Sequence, residues 1–426
     1  MALHLAPNPD GSWGGTIDSL DQGALGIPFS NFKLEAGGVV RFGNFEGIVN
    51  ADGSEITGKL NSANGSRPVV FRKVGKIEVL NRPQVPRRPY SYNEEEVEFD
   101  NAVHKLRLAG TLTWPRNAAR PVPAAVLVTG SGPQDRNSTM FGHQPFLVLA
   151  DDLTRRGFAV LRLDDRGVGK STGIPGGATL EELAQDAALA IEYLRSRKEI
   201  DPKAIGLIGH SEGGYIAPMA AVMNDAAFVV LLAAPGVPGD ELLYEQGQAV
   251  LKSVNAAKNV RERQAELQHS LFNAVLNEVD PVKLEARLRA AVAKFKQGLT
   301  PGELAQTPGF DQQMEAEVRS LMVPELQSLI RHDPAPVLRA LKCPVLVLGG
   351  ALDTQVPSKQ NLPAIAAALA HGAAQDYQIV SFPKLNHLFQ TARTGAPEEY
   401  AGIDETIAPA VLETIGHWLE KKWGRP

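Results

Sequence analysis

A chain of 426 residues that is 43% hydrophobic and 21% charged has the composition of an ordinary globular protein and the length for more than one core. Its 43 basic and 48 acidic residues give a formal net charge of −5 and are scattered with no basic stripe, which argues against nucleic acid as a partner. The single cysteine, Cys343, excludes an intramolecular disulfide and reads as a small buried hydrophobe.

In chain order, residues 1–10 lack the basic start and apolar middle of a signal peptide. No run reaches the roughly 18 apolar residues of a membrane span. The expected location is therefore cytoplasmic, with export only if a segment precedes this β-rich start. Short alternating runs at 12–17, 39–42, 46–49 and 68–72 predict strands, separated by the turn dipeptides Asp52-Gly53 and Asn64-Gly65. Residues 1–80 are expected to form a small antiparallel β domain. The stretch 81–92 holds three prolines and three arginines, a composition that resists helix and central strand alike, and 81–94 is expected to be a linker.

From 95 to 426 a catalytic domain is expected. Strands at 96–99 and 106–114 read as the antiparallel edge of a larger sheet. After them strands at 124–129, 159–163, 204–208 and 227–234 alternate with helices at 144–156, 180–196 and from 212. That alternation predicts a mostly parallel sheet covered on both faces, an α/β architecture. A charged, helix-forming insertion at about 239–332 reads as a cap, with its clearest segments at 261–276 and 281–295. Strands at 344–348 and 377–382 and helices at 359–369 and 405–422 complete the series.

The strongest local signal is Gly209-His210-Ser211-Glu212-Gly213, a G-x-S-x-G pattern between a strand and an apolar helix. Its glycines leave room for the sharp turn that lifts a serine hydroxyl above the sheet edge. A serine needs a base to become a nucleophile. In this context an acid and then a histidine follow the serine in the chain, each on a loop after a later strand. Asp353 follows the strand at 344–348, and His387 follows the strand at 377–382.

Of the nine histidines, only His387 lies beyond the acid at the end of a predicted strand. His371 ends a helix and His417 lies inside the last one. His4 and His104 fall outside the sheet's loops, and His269 and His332 belong to the insertion. His210 is placed to support the turn rather than to act as base. Ser211, Asp353 and His387 are thus the candidate catalytic residues.

An oxyanion needs two amide donors. The backbone N–H of Glu212 is one candidate, and the glycine-rich loop 129–135 supplies the other, with Ser131 preferred and Gly132 next. That loop lacks the Gly-Lys-Ser/Thr ending of a phosphate-binding loop. The run Asp164-Asp165-Arg166 reads as a loop-stabilising ion pair. Gly132, His143, His210 and Tyr215 are the residues expected to face substrate. No His, Cys or carboxylate cluster has metal-ligand spacing, so neither metal nor cofactor is expected.

The runs 128–137, 165–171, 209–214 and 385–390 together resemble bacterial α/β-hydrolase carboxylesterases of the prolyl-oligopeptidase-like esterase branch, over residues 95–426. Gly11-Ser12-Trp13 and the run 19–28 resemble an amino-terminal barrel-like domain of some of these esterases, here without its first strand and any export signal. The resemblance implies the α/β-hydrolase fold and cofactor-free hydrolysis of short-chain acyl esters through an acyl-enzyme. A peptidase, amidase or thioesterase of the same fold is the nearest alternative, although no basic cluster for a coenzyme is apparent. The alternative from another class is a non-catalytic carbohydrate- or partner-binding protein. The small-molecule ester is the expected partner, and an open β edge would pair across a homodimer or with the catalytic domain.

Overall fold

The alternating runs of the first 72 residues form eight strands in two antiparallel sheets. Strands β1 (Ala2–Pro7), β2 (Trp13–Ser19) and β3 (Ala24–Pro28) make a three-stranded sheet. Strands β4 (Lys33–Leu34), β5 (Val39–Phe42), β6 (Phe45–Val49), β7 (Glu55–Ser62) and β8 (Gly65–Arg72) make a five-stranded meander. Val40, Phe42 and Phe45 are buried, with the Phe42 and Phe45 rings stacked at 4.8 Å and Phe71 edge-on to Phe45 at 5.3 Å. At the Asp52-Gly53 turn the Asp52 carboxylate accepts from the Ser54 amide at 3.0 Å, and Gly53 takes a φ of 69°. The computed structural model describes residues 2–7, 13–19, 24–29, 32–35, 37–62, 65–75, 80–253, 257–300, 302, 304 and 309–424. Asn64, Gly11, Ser12 and residues 20–23 of the sequence motifs lie outside them.

Two units emerge. The first comprises Met1–Asn81, Thr139–His143 and Thr300–Glu317, and the second Arg82–Ser138, Gln144–Leu299 and Val318–Pro426. Two segments expected in the catalytic domain, one just before the helix at 144–156 and one within the insertion at about 239–332, therefore group with the β-rich unit. The expected linker is packed rather than free. Arg82 donates to the carbonyls of Ile403 at 3.0 Å and Ala401 at 2.9 Å, and Gln84 donates to that of Ile407 at 2.7 Å, all within the second unit. Prolines deny this stretch regular structure, and its side chains supply the anchoring instead.

The second unit is built on an eight-stranded sheet. Its strands are β9 (Asn93–Asn101), β10 (Leu106–Trp114), β11 (Val122–Val128), β12 (Ala159–Leu163), β13 (Ile200–His210), β14 (Val229–Leu232), β15 (Val345–Gly350) and β16 (Tyr377–Phe382), in spatial order β16-β15-β14-β13-β11-β12-β10-β9. β11 to β16 are mutually parallel, and β10 runs antiparallel to both its neighbours. Alternate side chains divide into two cores. Val126, Leu207, Leu231 and Val347 pack with helices α2 (Leu180–Arg195) and α3 (Gly213–Met223) on one face. Leu127, Ile208, Val230 and Leu346 pack with α1 (Pro145–Arg155) and the final helix Pro409–Trp423 on the other. This is why the strands read as unbroken apolar runs: both faces are covered.

After β14 the chain leaves the sheet for α4 (Gly239–Ser253), α5 (Lys258–Asn277), α6 (Pro281–Gln297) and the helix Pro324–Arg331 before returning through β15. Asp280 caps α6 by accepting from the Lys283 amide at 3.0 Å. Among the described residues no helix is long and apolar enough to cross a membrane.

Candidate active site

Ser211 sits at the carboxyl end of β13, where the chain turns into α3, and its φ is 55°. A side-chain-bearing residue rarely holds that conformation unless its surroundings enforce it. Here the Ser211 amide donates to the carbonyl of Leu232 at 2.9 Å and its own carbonyl accepts from Gly214 at 2.7 Å. The flanking glycines are steric necessities. A Cβ on Gly209 would lie 2.0 Å from the Gly213 oxygen, and one on Gly213 would lie 2.4 Å from that of Val128.

Asp353 and His387 reach the same place from the loops after β15 and β16, beyond the intervening β14. The Ser211 hydroxyl lies 3.0 Å from Nε2 of His387, whose Nδ1 lies 2.8 Å from Oδ2 of Asp353. The other Asp353 oxygen accepts from the amides of Gln355 and Val356 at 2.9 and 2.8 Å, which fixes the carboxylate's orientation. The imidazole is fixed by its own turn, in which the Asn386 side-chain oxygen Oδ1 accepts from the amides of Leu388 and Gln390 at 3.0 and 2.9 Å. His387 and Asp353 are both buried and Ser211 is half-buried. Asp353 to His387 to Ser211 is thus a continuous hydrogen-bonded path along which a proton can be drawn from the hydroxyl.

The loop after β11 passes beside Ser211, with Gly130 so close that a Cβ there would meet that of Ser211 at 3.1 Å. A cavity of ≈ 70 Å³ opens against this loop, walled by Gly130, Gly132, Asp165, Glu212, Ile216 and Glu325 among others. The buried Glu212 carboxyl is pushed up to about 8, first by burial and then by the charge of Glu325. Asp165 is pushed up to about 7, mainly by burial, although hydrogen bonds from Thr129 and Gln134 pull the other way.

The residues expected to face substrate lie in different settings. Gly132 lines the cavity. His143 is buried in a tight turn, exchanging backbone hydrogen bonds with Met140 at 2.8 and 3.1 Å, and groups with the β-rich unit. His210 places Nε2 2.9 Å from the His387 carbonyl oxygen. Tyr215, 1% exposed, donates its hydroxyl to the Val237 carbonyl at 2.6 Å. The polar atoms of the last two are thus engaged with the protein's own backbone.

The Asp164-Asp165-Arg166 run also separates into roles. Burial alone would raise the Asp164 carboxyl, but its pair with Arg136 at 2.6 Å, together with hydrogen bonds from the backbone amides of Lys170 and Arg136, keeps it below the usual range. Arg166 pairs with Asp186 of α2. Asp165 makes neither pair and instead accepts from the Thr129 hydroxyl at 2.7 Å and the Gln134 amide at 2.8 Å. Neither this contact nor that of Glu325 with the same loop carries a local sequence signature, because each joins residues far apart in the chain.

Residues 125–403 match the Alpha/beta hydrolase family. The chain is a member of that family. This hydrolase is 26% identical over 405 residues to Esterase EstD of Thermotoga maritima, covering 93% of this chain and 85% of that protein. Among solved structures it matches the Pyrococcus furiosus esterase Pf2001 with a TM-score of 0.48 at 15% identity, covering 82% of this chain and 100% of that one. The alpha/beta hydrolase GrgF from a Penicillium species gives a TM-score of 0.46 at 16% identity, covering 78% and 100%.

Proposed function

We propose that this hydrolase is a carboxylesterase that cleaves short-chain acyl esters through a serine-bound acyl intermediate. The observation that carries this reading is the unbroken path from the Ser211 hydroxyl through His387 to Asp353. The full-length similarity to an esterase of Thermotoga maritima supports the choice of ester over other acyl substrates.

In this reaction the Ser211 oxygen adds to the ester carbonyl while Nε2 of His387 takes its proton, and Asp353 holds Nδ1 protonated and steadies the imidazolium. The amides of Glu212 and Ser131 stabilise the oxyanion, a contribution of about 3 to 4 kcal/mol per donor in well-studied hydrolases. The imidazolium returns the proton to the departing alcohol. Water, deprotonated by the same imidazole, then releases the acid and restores the serine. The β-rich first domain at 1–80 and the helical cap at about 239–332 are proposed as accessory parts, with the cap selecting acyl chain length.

Ser211→Ala is expected to abolish turnover of p-nitrophenyl acetate and butyrate while leaving the melting temperature near that of the wild type. Unchanged turnover in that variant would remove the serine mechanism. Faster cleavage of a matched amide or thioester than of the ester would replace the substrate class.

A further inference from the structure

Two carboxyl groups from two different elements hold the loop beside Ser211. Asp165, after β12, binds the Thr129 hydroxyl and the Gln134 amide. Glu325 reaches in from the cap, in the first turn of the helix Pro324–Arg331, and accepts from the Gly132 amide at 3.2 Å.

That cap helix is anchored at its middle and at its last residue. Ser328 Oγ accepts from the Leu180 amide, the first of α2, at 2.9 Å. Arg331 donates to the carbonyls of Val275 at 3.0 Å and Glu278 at 2.8 Å, at the end of α5. The helix is therefore a strut between the cap and the loop beside Ser211.

The local conformation shows why the loop needs it. Gly132 has a φ of 79°, and a Cβ there would meet nothing within 4 Å, so packing does not select its orientation. A glycine in open space has many backbone conformations to choose from. Hydrogen bonds make the selection: the carbonyl of Ser131 accepts from Gln134 Nε2 at 3.2 Å, and the N–H of Gly132 is held by Glu325. The peptide joining Ser131 to Gly132 is clamped on both sides.

We propose that Glu325 is a positioning residue for the oxyanion hole, a cap carboxylate that fixes the Ser131–Gly132 peptide so that seating of the cap sets the amide geometry facing Ser211. The inference rests on the esterase reading above. Glu325 acts through the loop and does not touch the reacting atoms.

The test compares Glu325→Ala and Glu325→Gln on p-nitrophenyl acetate, with hydrogen exchange of the 129–135 segment followed in parallel. Without an acceptor, the Ala variant should lose on the order of tenfold to a hundredfold in kcat, the scale of a displaced catalytic group, with KM within about threefold. Its loop amides should exchange faster. The Gln variant keeps a side-chain oxygen and should return to within about threefold of wild type in kcat. Wild-type kcat in the Ala variant, equal impairment of the two variants, or a change confined to KM each overturns the proposal. If Glu325→Ala does not fold, Glu325→Met, of similar length but without the acceptor, replaces it. Absence of wild-type turnover above the Ser211→Ala background would defeat the esterase reading instead, and unaltered loop exchange in the Ala variant would then still overturn the tether.

Discussion

The Nε2 of His210 lies 2.9 Å from the main-chain oxygen of His387, so the residue before Ser211 braces the residue proposed as its base. Burial, followed by repulsion from His387, lowers the His210 imidazole to about 4, and the ring is neutral at physiological pH. A neutral ring must carry its proton on Nε2 to make this bond, which fixes the tautomer. Replacing His210 with Ala should lower kcat by about tenfold with KM little changed, as expected for loss of orientation rather than of binding. His210→Gln, which can present an amide donor to the same oxygen, should recover part of the loss. Steady-state kinetics of the two variants would settle this, and wild-type kcat in the Ala variant would show that the brace is dispensable.

Asp353 divides its oxygens between His387 and two backbone amides. In Asp353→Asn the side-chain oxygen keeps the amides of Gln355 and Val356, and its NH₂ faces Nδ1 of His387. That arrangement puts the imidazole proton on Nε2, where it can no longer accept from Ser211. A loss in kcat on the order of 10⁴ is expected, the scale seen when this substitution traps the wrong tautomer in a serine protease. The melting temperature should barely move. A loss below about tenfold would mean that the carboxylate does not govern the base.

The glycines of the elbow should be intolerant for a steric reason. Gly209→Ala would place a methyl 2.0 Å from the Gly213 oxygen and Gly213→Ala one 2.4 Å from that of Val128, both against backbone that cannot swing away. Either substitution should cost about 3 kcal/mol or more, at or above the upper end of overpacking penalties. Gly53→Ala, whose Cβ would meet nothing within 4 Å, should cost only the strain of its φ of 69°. Denaturant midpoints for the three variants give the comparison, and equal losses would refute the steric account.

Much of this arrangement was legible because it is written in local pattern. Strands at Leu106–Trp114, Ala159–Leu163 and Tyr377–Phe382 fall where their apolar runs lie, and each is bounded by loop residues that stop it. Ser211 announces itself because its turn needs glycine on both sides, and Asp353 and His387 because parallel strands deliver their following loops to one edge. The helix Pro324–Arg331, which binds its neighbours through Glu325, Ser328 and Arg331, was not legible. Its contacts with the rest of the chain pair residues more than 50 positions apart, such as Glu325 with Gly132 and Arg331 with Val275, and no window of sequence contains both partners. The grouping of Thr139–His143 and Thr300–Glu317 with the β-rich unit escaped for the same reason.

Asp165 and Glu212 predict how stability should depend on pH. Their folded-state values, about 7 and about 8, stand above the ordinary 3.8 and 4.5, so between those limits the folded chain binds protons that the unfolded chain has released. Stability must therefore fall as pH rises through the folded values. Below about 6.5 the trend is offset by His210 and His332, whose lowered values make the folded state gain stability with rising pH. The loss from the two carboxyls should thus stand clear between pH 6.5 and 8.5, below the range where Cys343, raised by burial to about 11, begins to act in the same direction. With a linkage slope of about 1.4 kcal/mol per pH unit per proton, the fall due to the two carboxyls should amount to about 3 kcal/mol. Asp165→Asn should flatten the earlier part of the decline and Glu212→Gln the later part, because neither amide has a proton to lose. Urea unfolding at half-unit pH intervals would show it, and a stability constant or rising across that window in the wild type would mean that both carboxyls are already ionised in the folded protein.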